Sequence, residues 1–135
     1  MWKYPAARTI IGISLGAVIG ALCRYYCDIW ITQFLGTTFP YSTMVINLTG
    51  CFVMGFFATF SLIPVITIHP DLRLMVTTGF LGSYTTFSSY ELDTAKLITR
   101  SLENDLVYWG GTALLGLMSL QLGIAFAEKF YSPKK

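Results

Sequence analysis

A chain of 135 residues that is 54% hydrophobic, 16% aromatic and only 12% charged, with mean hydropathy +0.61, is not an ordinary soluble domain, since such domains carry about 25% charged residues. The net charge of +2 supplies no basic patch, so no nucleic-acid partner is expected. The one histidine, His69, leaves metal chemistry and nucleophile–base catalysis almost without material, so no enzyme is expected.

Four apolar stretches follow one another, each near or above the ~18 residues that mark a membrane span, at about 9–31, 41–64, 73–99 and 106–127. The expected architecture is therefore an all-α membrane protein, a single four-helix domain crossing the bilayer four times. Ahead of the first span, Trp2 and Tyr4 stand beside Lys3 and Arg8, a mixture suited to the membrane–water interface. Ile10–Cys23 runs on past Arg24 into more apolar sequence, so it reads as structure rather than a cleavable signal.

Span 1 carries Gly12, Gly16 and Gly20 at four-residue spacing, two overlapping G-x-x-x-G motifs that let another helix approach closely. The same stripe continues to Arg24 and Asp28. An arginine facing lipid costs about 2.5–3.5 kcal/mol at the helix centre. Arg24 therefore snorkels to the interface, pairs with Asp28 one turn on, or lines an electropositive vestibule. The cysteines Cys23, Cys27 and Cys51 are odd in number and lack a C-x-x-C or zinc spacing; they read as small buried hydrophobes.

Span 2 holds one strongly polar residue, Asn47, followed by Gly50. Its side chain serves either as a hydrogen-bonded link between helices or as a pair of N–H donors for a dehydrated anion. Pro64 and Pro70 bracket a loop with His69 and Asp71. Span 3 then contains G-F-L-G-S-Y-T-T-F-S-S-Y, Gly79–Tyr90, too rich in glycine and hydroxyls for a plain lipid-facing helix. One helix over Leu72–Thr99 would measure about 42 Å, against a hydrocarbon core of about 30 Å. A break near Gly82-Ser83, within Gly82–Thr85, shortens it and frees backbone groups, as in the discontinuous helices that build ion sites.

Span 4 is introduced by Asn104-Asp105, a helix-start signal. Tyr108, Thr112, Gly116, Ser119 and Gly123 recur along it at the helical period, forming either a packing seam or a polar track. Four spans place both termini on one side, with Lys3, Arg8, Arg73, Lys129, Lys134 and Lys135, against Arg24, Lys96 and Arg100 at the other. The positive-inside rule thus leans towards cytoplasmic termini.

The glycine-rich first span ending G-A-L-C-R-Y, the N-L-T-G at Asn47–Gly50 and the third-span motif with T-T-F-S resemble the Fluc (CrcB) family of small fluoride channels. The resemblance covers most of the chain. It implies a passive fluoride-exporting channel in the inner or plasma membrane, with two pores in an antiparallel, dual-topology homodimer. It further implies a central structural sodium ion on the backbone carbonyls of Gly82 and Thr85. By motif position the pore residues are Asn47, Phe87 and Tyr90, with Tyr108 and Thr112 on the fourth span, and Arg24 matches the family's first-span arginine. The hydroxyls of Ser88 and Ser89 are further donors for an ion that must trade water for hydrogen bonds. Ser83 and Tyr90 depart from the family pattern, which has glycine and phenylalanine there. Two other classes remain: a small proton-coupled exporter, which needs a mid-membrane carboxylate that this sequence does not place, and a non-transporting assembly subunit held by the span 1 glycines.

Overall fold

The computed structural model describes residues 5–64 and 66–130. They form α1 (Pro5–Leu35), α2 (Tyr41–Phe60), α3 (Pro70–Leu74), a π-helical segment (Met75–Leu81), α4 (Gly82–Tyr84), α5 (Phe87–Ile98) and α6 (Leu102–Lys129), with no strand among the described residues. Three helices, α1, α2 and α6, are long and apolar enough to cross a membrane. The expected third span is divided among α3, the π segment, α4 and α5. Trp2, Lys3, Tyr4, Lys134 and Lys135, expected as interfacial anchors or topology signals, lie outside the described residues.

α1 exposes Ile10, Leu15, Val18, Ile19 and Leu22, an outward face that suits lipid rather than water. It ends at Gly36, the one residue with positive φ (78°) among the described residues, whose N–H bonds to the Thr32 carbonyl at 2.9 Å. A residue with a Cβ would be strained there, so glycine closes the helix. α2 stops at Phe60 rather than reaching Pro64, because the residue before a proline is turned away from helical geometry. Arg73 reaches back and donates from Nη2 to the Ser61 carbonyl at 3.3 Å, satisfying an acceptor at this helix end.

His69 lies at the start of α3, where Nδ1 accepts from the Asp71 N–H at 3.2 Å with Pro70 in the first turn. Asp71 in turn accepts from the Thr9 hydroxyl at 2.6 Å and pairs with Arg8. The beginning of α1 is thereby fastened to the beginning of the third span. These bonds, led by that from Thr9, hold the Asp71 carboxyl below its ordinary pKa.

The glycine stripe of α1 packs within the chain. A Cβ on Gly16 would meet the Met75 carbonyl and Phe80 N–H, and one on Gly20 the Phe80 carbonyl. From the other side, Gly79 sits against the backbone of Ile13 and Ala17. The π segment is the surface they meet, a wider turn of backbone that the sequence pattern did not predict. Gly12 is looser, with Met75 Cβ as its nearest atom at 3.9 Å. α2 and α6 form the second close pair: Gly55 faces the Leu120 backbone, Gly123 faces Phe52 and Phe56, and Ser119 donates to the Leu48 carbonyl at 2.7 Å. The lower part of the α6 stripe, Ser119 and Gly123, is thus a packing seam.

α5 and α6 form an antiparallel hairpin. Ser101 caps α6 by accepting from the Asn104 N–H at 3.3 Å, so the helix starts earlier than Asn104-Asp105 suggested. Asp105 lies in the first turn and is buried. The hairpin's interior is built from Tyr90, Leu97 and Tyr108, with Phe39 and Met44 against them.

Candidate functional site

The third span breaks at Thr85 and Thr86, which are both extended (ψ 156° and 117°). Gly82 itself is helical (φ −63°, ψ −26°), so the break falls past the expected Gly82-Ser83, at and one residue beyond the distal end of the Gly82–Thr85 interval. Ser83 therefore sits in a helical turn, where a Cβ carries no penalty. Thr85 N–H still bonds to the Leu81 carbonyl at 3.0 Å, whereas the Thr86 N–H turns away and donates to Asn47 Oδ1 at 2.8 Å. Asn47 Nδ2 in turn donates to the Thr86 carbonyl at 3.0 Å. One amide on α2 thus satisfies both backbone polar groups of a buried residue where the helix cannot. Asn47 is a link between helices, and it keeps one N–H of Nδ2 free of any described partner.

Diverting the Thr86 N–H leaves the Gly82 carbonyl without the donor it would have in a continuous helix. Gly82 is exposed, and among the described residues the nearest neighbour to an added Cβ is the Thr77 carbonyl at 3.8 Å. Together with the Thr85 carbonyl at the helix end, it presents oxygen ligands of the kind a hard cation takes.

Thr86 also caps α5. Its Oγ1 accepts from the Ser89 N–H at 3.1 Å, donates to Ser89 Oγ at 3.0 Å, and lies 3.2 Å from Ser88 Oγ. A hydroxyl has one proton to give. With that of Thr86 directed to Ser89, Ser88 is the donor to Thr86, and the Ser89 proton stays available. The sequence held a signal for this cap, a threonine three residues before a serine at the start of a helix, yet Thr86 was not singled out as a site residue.

Two cavities border this break. The larger, about 770 Å³, is lined by Arg24, Asp28, Thr86, Ser89, Lys96 and Arg100 among others. The smaller, about 370 Å³, is bounded by Asn47, Thr85, Thr86, Phe87, Tyr90 and Thr112. Thr86 is the residue they share. Arg24 makes no ion pair with Asp28 or any other acid among the described residues; of the three expected placements, it occupies the wall of the larger cavity.

The predicted site residues separate into distinct positions. Phe87 is 74% exposed, with its ring 5.8 Å from that of Tyr90. Tyr90 is buried and donates its hydroxyl proton to the Trp109 carbonyl at 2.6 Å. That hydroxyl is therefore not free to donate into the cavity, and what Tyr90 presents there is its ring. Tyr108 is fully buried behind Tyr90, 5.4 Å from its ring and edge-on to Phe39; it lines neither cavity. Thr112 is buried at the cavity wall, and its hydroxyl has no hydrogen-bond partner among the described residues. Ser88 is exposed. Beyond these, Thr43 donates to Asp93 at 2.7 Å and Lys96 lies 3.9 Å from the same carboxylate, a link between α2 and α5 that spacing along the chain could not reveal.

A family model described as "CrcB-like protein, Camphor Resistance (CrcB)" matches residues 11–124. Among curated relatives, a "Fluoride-specific ion channel FluC" of Trichormus variabilis is 50% identical over 125 residues, covering 92% of this chain and 91% of the relative. A protein of the same name from Synechococcus sp. is 46% identical over 92% of this chain and 95% of its own, and one from Synechocystis sp. is 40% identical over 93% and 97%. The match spans the first-helix glycines, Asn47, the broken third span and the α6 face that meets it, and on that extent the chain belongs to the CrcB-like family.

Proposed function

We propose that this chain is a passive, fluoride-selective channel subunit of a multi-pass membrane protein in the inner or plasma membrane. The observation that carries the proposal is the break at Thr85–Thr86, held open by Asn47 and bordered by both cavities. The curated relatives bearing the channel name support it. A fluoride ion leaving water needs donors in place of its hydration shell. The free N–H of Asn47, the Thr112 hydroxyl and the Ser89 hydroxyl are donors left uncommitted at the cavity walls. The edges of Phe87 and Tyr90 add the positive rim of an aromatic quadrupole. Tyr108 supports the Tyr90 ring from behind, and Ser88 helps hold Thr86.

The smaller cavity is bordered by the exposed Phe87, and Gly82 at the start of α4 is exposed as well. A second copy in antiparallel orientation would cover that face and complete two pores. The carbonyls of Gly82 and Thr85 from two copies would then hold a sodium ion, which supplies a fixed positive charge at the break. Two carbonyls from one chain are too few oxygen ligands for a hard cation; two copies would supply twice as many, which is why the pair of copies belongs to the reading. The glycines Gly16 and Gly20 are used inside the chain against the π segment and are not a spare assembly face.

The test is efflux of fluoride and of chloride, in parallel, from liposomes carrying the purified protein. Fluoride efflux with chloride retained is expected; equal efflux of both ions, or of neither, overturns the proposal.

A further inference from the structure

The larger cavity is far too big to serve one small ion. At about 770 Å³ it lies in the range of small-molecule sites, roughly 300–1,000 Å³, and exceeds the ~30 Å³ share of a single water many times over. Its wall carries three cations, Arg24, Lys96 and Arg100, and two carboxylates, Asp28 and Asp93, a net single positive charge. Asp93 is already engaged by the Thr43 hydroxyl and by Lys96, while Arg24 and Arg100 have no carboxylate partner among the described residues. Hydroxyls of Thr32, Thr37, Thr38 and Ser42 border the same space. The lining is thus rich in donors and carries one uncompensated positive charge.

Its position in the membrane narrows the ligand. Tyr25, Tyr26, Trp30 and Phe34 on α1 are exposed along the same stretch of helix, and Tyr25 is itself on the cavity wall. Exposed aromatics of this kind settle at the headgroup level of a bilayer, where basic pockets between spans take up phosphate-bearing headgroups. A phosphodiester carries one negative charge, the complement of the lining.

We propose that this cavity binds a phosphate group through Arg24, Lys96 and Arg100, supplied by the headgroup of an anionic phospholipid or by free phosphate. Lys96 in the last turn of α5 and Arg100 in the turn after it are the gripping residues that a fluoride path alone does not require. The site does not depend on the channel reading, and binding rather than flux reports it, so the two fail separately.

The experiment is native mass spectrometry of the purified full chain in detergent, titrated with phosphatidylglycerol, phosphatidylcholine or inorganic phosphate. Phosphatidylglycerol should be retained at about tenfold lower concentration than phosphatidylcholine, given the usual contribution of each basic residue near a membrane surface. That preference should vanish in the double variant Lys96→Gln, Arg100→Gln and persist in Lys129→Gln, at the far end of α6. Loss of phosphatidylglycerol on adding inorganic phosphate assigns the site to phosphate chemistry from either source; retention with no competition assigns it to the lipid. Equal retention of the two lipids without phosphate binding, or an unchanged preference in the double variant, overturns the proposal.

Discussion

Replacing Asn47 with alanine tests the break most severely. The substitution removes both hydrogen bonds to Thr86, at 2.8 and 3.0 Å, and leaves a backbone N–H and carbonyl of a residue only 7% exposed without partners. Each buried group left unsatisfied costs about 1–3 kcal/mol, so the open geometry loses about 2–6 kcal/mol of support. The Thr86 N–H is then free to seek the Gly82 carbonyl and continue the helix, which would move Thr86 out of the wall that the two cavities share. Since about 1.4 kcal/mol is a factor of ten in rate, fluoride efflux should fall by roughly tenfold or more. Asn47→Asp separates the two bonds: it keeps an acceptor for the Thr86 N–H, removes the donor to its carbonyl, and sets a negative charge in the anion path. It should hold the break better than alanine yet conduct no better. Electrode-recorded efflux from liposomes reads the rate, and size-exclusion chromatography reads the assembly. Efflux within about twofold of wild type in Asn47→Ala, against the roughly tenfold loss expected, would refute the reasoning.

Tyr90→Phe should lose only the bond to the Trp109 carbonyl, about 0.5–1.5 kcal/mol of stability, and retain most fluoride efflux; a collapse of efflux without loss of folding would show that the hydroxyl serves the ion. Gly16→Ala and Gly20→Ala place a Cβ against backbone of the π segment and should destabilise by about 1–3 kcal/mol. Gly12→Ala meets its nearest neighbour at 3.9 Å and should be neutral or gain up to about 1 kcal/mol of helix propensity; thermal unfolding in detergent ranks the three. Asp71 gives a pH signature. Its folded pKa is lowered from the ordinary 3.8 by Thr9 first and then Arg8. Its stabilisation is therefore full above that ordinary value and is lost as pH falls below it, through the lowered folded value. The difference in unfolding temperature between wild type and Asp71→Asn should be constant from pH 7 to pH 5 and shrink below pH 4; a difference already fading at pH 6 would contradict the assignment to Asp71.

The spans were legible because runs of apolar residues long enough to cross a bilayer leave few alternatives, and the need for a break followed from a third span too long and too polar for one helix. Its position was legible only to within a turn. Gly82 looked the natural place to interrupt a helix, but the interruption is set by a side chain on another helix: Asn47 takes the Thr86 N–H, and so Thr85 and Thr86 are the extended residues. The glycine stripe of α1 announced close packing, yet the π turn that it packs on has no one-dimensional signature. The sequence shows that Tyr90 brings a hydroxyl where the family has phenylalanine; that its proton goes to the Trp109 carbonyl depends on the register of α5 against α6. The same register hid Tyr108 behind Tyr90, and the packing of α2 on α5 joined Thr43 to Asp93, 50 positions apart in the chain.

The central claim is a passive pathway selective for fluoride, and the reversal potential in a planar bilayer addresses it directly. With a fluoride gradient across the membrane, the current should reverse at the fluoride equilibrium potential and stay there when chloride, proton or sodium gradients are imposed. A reversal potential that follows the chloride gradient, or one displaced by protons or sodium, would contradict it.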